Sequence, residues 1–388
     1  MRRRNIIAVL FLTHSLLGLA QESWMMKGYV KGLTAMQTLG EEGEVALENT
    51  LHNRFDFNWY MSQKFTFTVG MRNRVIVGNN VTLIPGYTEY VSRDNGYVDL
   101  SWVWADNDSW IGITQFDRLM LDFTSGNLQI TLGRQRINWG QTFVWNPNDL
   151  FNTYSYFDFD YEERPGSDAL RIQYYLGMSS KLELSTSLNR DKKITSVGLY
   201  RFNTRGYDLQ FLAGIYTETD FVVGGGWSGS IKGGGFSGEV TYFHPIDNEE
   251  ESDGKVTATL HYDYTFRSSL NLQFEALYNG FGQDDLASGI GDVVFQDLSP
   301  KNLFPTQVAF LASGGYDVTP LFRAMLAAMY GPEGNFFYVG PTLTYSLSNT
   351  MELSGVGQYY STDDVFDDQG EALVTSGAAL FVRFKWSF

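Results

Sequence analysis

The last eleven residues of the chain alternate without a break. Ala378, Leu380, Val382, Phe384, Trp386 and Phe388 take one face, and Ala379, Phe381, Arg383, Lys385 and Ser387 take the other. Successive side chains of an extended strand point to opposite sides. One face is therefore apolar and ends in aromatics, while the other carries two cations. A soluble sandwich would have to cover that stripe with a second sheet. A closed barrel in a bilayer leaves it against lipid and keeps the cations in water.

The other end of the chain is consistent with export. Arg2, Arg3 and Arg4 form a basic start, and Ile6 to Leu17 is apolar apart from Thr13, His14 and Ser15. Gly18, Leu19 and Ala20 then place small residues where a signal peptidase reads them. A helix needs about twenty unbroken apolar residues to span a bilayer, so this segment is too short and too interrupted to be an anchor. The expected organisation is a removable signal at 1–20 and one barrel domain at 21–388.

Beyond Gln21 no run is apolar enough for a transmembrane helix, and the mean hydropathy is only -0.20. A barrel reconciles that value with a membrane, because only every second strand residue meets lipid. The composition agrees, with 16% aromatic residues, 40 Gly and 9 Pro. The absence of Cys excludes a lipid-modified cysteine, a disulfide framework and cysteine metal sites. The formal charge of -16 becomes -19 once Arg2, Arg3 and Arg4 are removed, which argues against nucleic acid as a partner.

The alternation recurs through the middle. Leu47, Leu51, Phe55, Phe57, Trp59 and Met61 share a face opposite His52, Arg54, Asp56 and Asn58. Phe65, Phe67, Val69 and Met71 follow, opposite Thr66, Thr68, Arg72 and Arg74. Short turns are expected near Gln63, Gly126, Ser179, Arg205, Gly233, Ser268, Thr319 and Ser348, on the periplasmic side where barrels keep connections short. The first strand is expected over Met25 to Thr38. The fold expected is an all-β antiparallel transmembrane barrel of about 18 strands with long extracellular loops. Sixteen remains open, because the Gly-rich stretch from Gly224 to Gly238 is hard to divide. Tyr97 to Trp104 is also strand-like, but a full crossing there would reverse the final strand, so it is placed in an extracellular hairpin. The long loops fall near 78–96, 137–167, 280–306 and 361–372. Aromatic doublets such as Tyr242-Phe243 and Tyr359-Tyr360 are expected at the membrane interfaces.

The most distinctive segment runs from Gly133-Arg134-Gln135-Arg136 through Trp139-Gly140 to Trp145-Asn146-Pro147-Asn148-Asp149 and Asn152. It resembles outer-membrane porin-like barrels, including alginate-export-type and uncharacterised bacterial relatives, that carry a GRQ…WG motif before an aromatic Asn-Pro loop. The match covers the twenty residues from Gly133 to Asn152. It implies a channel or exporter-like barrel with this loop folded toward the lumen. The residues themselves allow two arrangements: a loop narrowing the pore, or one packed on the external rim. For the first, Arg134, Arg136, Trp139, Trp145, Asn146 and Asp149 are the constriction candidates, since so long a connection often has a function. If Phe123 and Leu128 flank the turn, Asp117 falls opposite Arg134 on a lipid face. A bulge at Gly133 that turns Arg134 inward would relieve this.

Inward-facing charges are the candidates for selectivity. Arg54, Arg72, Arg74, Arg171, Arg383 and Lys385 supply one sign and Asp56, Glu183, Asp263 and Glu275 the other. Rings of such charges set ion preference in pores; alternatively they pair with one another and fill a plugged lumen. No cofactor or metal is expected. Enzyme chemistry is not expected either: His261 shares a face with Asp263, yet no serine can be nominated by spacing. Gly224-Gly225-Gly226 and Gly233-Gly234-Gly235 lack the lysine of a phosphate loop.

The reading that follows is an outer-membrane channel of a Gram-negative bacterium for passive diffusion of small hydrophilic solutes, either anions or sugars. Its partners would be outer-membrane lipid, those solutes, other copies of the chain if it is trimeric rather than monomeric, and the barrel-assembly machinery. The Phe384, Trp386 and Phe388 terminus resembles the signal which that machinery reads. The alternatives are a plugged barrel acting in surface binding, polymer export or assembly, and an outer-membrane hydrolase.

Overall fold

The computed structural model describes residues 23–39, 44–84, 86–153, 163, 165–246, 253–282, 299–363 and 376–388. The expected signal at 1–20 and much of the expected loops at 280–306 and 361–372 lie outside the described residues.

Within these residues the strands are β1 (Trp24–Leu39), β2 (Glu44–Tyr60), β3 (Phe65–Gly78), β4 (Ser101–Asn107), β5 (Trp110–Ser125) and β6 (Leu128–Gln135). There follow β7 (Ser167–Tyr175), β8 (Lys181–Leu188), β9 (Ile194–Thr204), β10 (Tyr207–Tyr216), β11 (Asp220–Ile231), β12 (Gly234–Pro245) and β13 (Lys255–Thr265). The remainder are β14 (Asn271–Asn279), β15 (Val308–Thr319), β16 (Phe322–Gly331), β17 (Phe336–Ser346), β18 (Met351–Ser361) and β19 (Ser376–Ser387). Two short helices, α1 (Asn80–Leu83) and α2 (Tyr87–Ser92), follow β3.

All the strands belong to one antiparallel sheet, which closes where β1 pairs with β19. Gly28 and Phe388 complete the seam with reciprocal backbone hydrogen bonds of 2.9 Å each. β3 pairs directly with β5, from Phe65↔Phe123 to Val77↔Trp110. β4 meets only the outer half of β5, from Ser101↔Gln115 to Asn107↔Trp110. The barrel wall therefore has 18 strands, and β4 belongs to an added hairpin at one rim, as the polarity of the last strand requires.

The eight expected short turns all connect neighbouring strands at one end. In two of them the sequence dictates the geometry. Arg205 and Gly206 have φ of 51° and 80°, and Lys232 and Gly233 have φ of 51° and 84°. Two consecutive positive φ values match a two-residue hairpin turn to the twist of its strands.

Burial follows the strand parity with the sense of a membrane barrel. Leu51, Leu132, Val223 and Leu326 point outward at 53–60% exposure, whereas Lys31, Arg54, Gln210 and Glu239 point inward at 0–1%. The aromatic doublets are divided by the same parity. Tyr242 and Tyr359 are exposed outside, but Phe243 and Tyr360 are buried inside, so only the first of each pair can serve an interfacial belt.

The register around Arg134 departs from the expected one by two residues. Arg134 stands opposite Leu119, not Asp117. The insertion lies in β5 instead: the β3 pairing steps from Gly70↔Arg118 to Met71↔Phe116, leaving Asp117 as the bulged residue. That bulge delivers Asp117 to the inner face, where it meets Arg54, so Asp117 is not left on lipid. Gly133 does adopt the positive φ of 114° open to glycine. Arg134 nevertheless keeps the parity of Leu132 rather than turning into the lumen.

Candidate functional site: the lumen and its inward loop

The inner wall carries its cations in registered rows. Lys385, Lys31, His52 and Arg74 form one row across β19, β1, β2 and β3, and Tyr29, Arg54, Arg72 and Gln115 form the next. Lys31 and Lys385 both stand over the Tyr29 ring, at 5.5 and 4.7 Å from its centre. Arg72 and Arg74 share the Gln115 side-chain oxygen at 2.7 and 2.9 Å. Arg54 binds Asp117 at 2.5 Å and Asp56 at 2.8 Å, and Arg383 reaches Glu352 at 3.1 Å.

Beyond β6 the chain turns into the barrel and lies against the opposite wall. Trp139, Ile137 and Leu150 pack on Ala169, Val197, Leu199, Leu212, Val222 and Phe243. Val144 and Trp145 pack on Leu277, Leu311, Ala327 and Met329. The loop is thus seated on a small apolar core of inner-wall residues, an unusual use of a face that normally meets water.

Polar anchors fix its path. The Trp139 indole donates to Glu183 at 2.8 Å, and the Trp139 carbonyl accepts from Gln210 at 2.7 Å. Glu239 accepts the backbone N–H groups of Gln141, Thr142 and Asn148. Glu275 accepts those of Phe143, Val144 and Trp145. Thr241 donates to the Pro147 carbonyl at 2.9 Å and to the Asn148 side chain at 2.7 Å. The loop backbone makes no ladder with a strand, so these carboxylates satisfy donors that would otherwise be buried without partners.

The Gly-rich strand explains itself here. Gly224 and Gly226 are on the inner face of β11, beneath the loop. A Cβ on Gly224 would stand 2.8 Å from the Asn148 side-chain oxygen, and one on Gly226 would stand 2.5 Å from that of Gln141. The missing side chains are the space in which the Asn-Pro segment lies, and Asn148 donates to the Gly225 carbonyl at 2.9 Å.

A second insertion comes from α1 and α2, whose Val81, Tyr87 and Val91 pack on Ile76, Ile111 and Ile113. Tyr87 donates to Glu48, and burial beside that carboxylate pushes the Tyr87 hydroxyl well above its ordinary range.

The structure places the expected residues as follows. Arg54, Asp56, Arg72, Arg74, Arg171, Glu183, Asp263, Glu275, Arg383 and Lys385 all occupy inward positions of their strands. Glu183 gathers Arg171 at 2.6 Å, Lys181 at 2.8 Å and Gln173 at 2.9 Å besides Trp139. His261 lies 3.1 Å from Glu275 and 3.5 Å from Asp263, within the framework that holds the loop. Arg136, Trp139, Trp145, Asn146 and Asp149 belong to the inward loop. Arg134 does not: it is part of β6 and binds Asp168 at 2.8 Å, Asp94 at 2.5 Å and the Val98 carbonyl at 2.6 Å. It clasps the 94–98 segment at the rim. Glu239, Gln210, Thr241 and Lys31 were not singled out from the sequence. Glu239 directly follows Gly238 at the end of the Gly-rich stretch, where alternation is hardest to read.

No protein-family model and no curated protein matches the chain. Solved structures do match over nearly its whole length. The outer membrane protein OprD from Pseudomonas aeruginosa gives a TM-score of 0.58 at 10% identity, covering 95% of this chain and 94% of that one. OccAB4 of Acinetobacter baumannii gives 0.57 at 11% identity, covering 95% and 99%. Pseudomonas aeruginosa OpdQ gives 0.57 at 6% identity, covering 95% and 99%. These comparisons lend no support to the alginate-export resemblance of the Gly133–Asn152 segment. At such low identity they establish the fold: the chain has the closed 18-strand barrel of the OprD and Occ outer-membrane proteins.

Proposed function

We propose that this protein is an outer-membrane channel through which small hydrophilic solutes diffuse passively, with a preference for anions. The observation that carries the reading is the division of the inner surface. One wall is covered by the inward loop and holds its carboxylates in bonds to that loop. The other carries Lys31, Arg72, Arg74 and Lys385 in adjacent rows, beside Arg54 paired with Asp56 and Asp117 and Arg383 paired with Glu352. Charges arrayed along a lumen set which ions enter. Arg136, Trp139, Trp145, Asn146 and Asp149 then form the narrowing, and Arg134 is a rim clasp.

The channel reading also carries the expected biogenesis: removal of residues 1–20 on export, and recognition of Phe384, Trp386 and Phe388 by the barrel-assembly machinery. The likeness in fold to the OprD and Occ proteins supports the membrane placement.

The test is single-channel recording of mature protein in a planar bilayer under a salt gradient. Steady conductance with a reversal potential of anion-preferring sign is expected, shifting toward cations in the Arg72→Glu, Arg74→Glu double variant. Folded protein that conducts nothing would overturn the channel and leave the plugged barrel. An unchanged reversal potential in the double variant would remove the two arginines from the current path.

A further inference from the structure

The lipid-facing side of the barrel is apolar almost everywhere, but β1, β2, β3 and β5 carry a chain of amides there. Asn53 donates to the Tyr29 carbonyl at 3.3 Å, Asn73 donates to Asn53 at 3.3 Å, and Thr114 donates to Asn73 at 2.7 Å. Asn53, Asn73 and Thr114 are in direct cross-strand register. They share the outward parity of Leu51 and Phe55 on β2 and of Met71 and Val75 on β3. Among the described strands, no other outward position within the lipid-facing stretches carries an Asn or Gln except Asn49, which accepts from Thr34 at 2.8 Å on the same side.

Depth makes this arrangement costly in lipid. Asn53 is six residues above Trp59, the aromatic at the turn end of β2. At about 3.3 Å per residue and a tilt near 40°, that is roughly 15 Å of height, well inside an apolar band about 25 Å tall. Acyl chains offer no hydrogen-bond partner. Each Asn amide nitrogen has two N–H groups, and the bonds above use one. The patch therefore still presents donors and acceptors after its own strands have made what bonds they can. Polar side chains that remain in a bilayer are found where protein meets protein.

We propose that the outer face of β1, β2, β3 and β5 is where copies of this chain meet in the membrane. A second copy inserted in the same sense presents Asn53 and Asn73 at the same depth. An amide is at once donor and acceptor, so the patch complements itself. Gly32, in register with Leu51, leaves open space where a Cβ would stand, which lets a neighbour approach. The inference is independent of whether the lumen conducts, since it concerns the outside of the wall.

The chain has no Cys, so single thiols report cleanly. Leu51→Cys places one beside Asn53, and Leu326→Cys places one on the outer face of β16, five strands round the wall from β2, as a control. A short bis-maleimide cross-linker is applied to cells carrying each variant in the outer membrane. Products at whole multiples of the chain's mass are expected from Leu51→Cys and not from Leu326→Cys. Adding Asn53→Leu and Asn73→Leu should abolish them while heat-modifiable gel mobility shows the barrel still folded. If that pair fails to fold, Thr114→Val should reduce the product. Equal cross-linking from both faces, no product from Leu51→Cys, a product of another mass, or products indifferent to the asparagines would each overturn the proposal. None of these results would affect the conductance on which the channel reading depends.

Discussion

Glu275 holds Trp145 by its backbone rather than by its side chain: the carboxylate oxygen accepts the Trp145 N–H at 2.6 Å. The same group accepts from Phe143 at 2.9 Å and Val144 at 3.0 Å. Glu239 does the equivalent for Thr142 and Asn148, at 2.9 Å each. Two strands of the wall, β12 and β14, thereby fix a loop that begins at β6.

Glu275→Ala strips three backbone donors of their acceptor in one substitution. Each buried donor left unmade costs about 1–3 kcal/mol, so the loop should leave its seat while the barrel stands. Expected in a planar bilayer are a larger single-channel conductance and noisier open current. An unchanged conductance in a folded variant would mean that the loop does not limit the current.

The glycines beneath the loop give a positional test of the same idea. Gly224→Val and Gly226→Val push a side chain into space already taken by Asn148 and Gln141, and overpacking of this kind costs about 1–3 kcal/mol. Gly225→Val sits between them but points to lipid. The two inner variants should raise conductance and lower the temperature of the heat-modifiability transition; the outer one should do neither. Equal effects from all three would point to strand disruption instead of loop displacement.

Asp117 and Arg54 form a pair with side-chain exposures of 5% and 1%. Removing one member of a buried pair typically costs about 3–5 kcal/mol, because the survivor keeps its desolvation without its partner. Arg54 retains Asp56, so Asp117→Ala belongs at the low end of that range, and Arg54→Ala, which deprives two acids, at the high end. The transition temperatures of the two variants on gel mobility decide the order. If Asp117→Ala were the more damaging, the bulge geometry rather than the ion pair would be the dominant contribution.

How much of this was legible beforehand follows from what alternation encodes. A period of two places each side chain inside or outside, so the inward positions of Arg54, Arg171 and Lys385 could be read from the chain directly. A bulge breaks that period without a compositional mark: nothing in Phe116-Asp117-Arg118 announces that two neighbours will share the inner side. The seat of the loop was hidden for a different reason. Glu239 and Glu275 are distant in sequence from Thr142 and Trp145, and only closure of the barrel brings them together. Gly224 and Gly226 looked like a weak strand because the residues that fill their space belong to another segment.

Phe388 supplies both the final backbone pair and an aromatic face, and the two roles separate experimentally. Its backbone bonds Gly28 in both directions, and its ring lies over Gly28 and 6.0 Å from Phe55. An aromatic set across a strand glycine covers backbone that would otherwise be bare. Deleting Phe388 loses two seam hydrogen bonds, about 0.5–1.5 kcal/mol each, together with that cover. Phe388→Leu keeps the bonds and loses only the ring. Deletion should cut the fraction of heat-modifiable barrel recovered in the outer membrane. If the assembly machinery reads the aromatic itself, Phe388→Leu should fall nearly as far, although the purified variant refolds in detergent as well as the parent does. If seam closure is what counts, Phe388→Leu should assemble almost normally and only the deletion should fail. Full recovery of both variants would place the assembly signal elsewhere on β19, leaving Phe384 and Trp386 as the residues to change next.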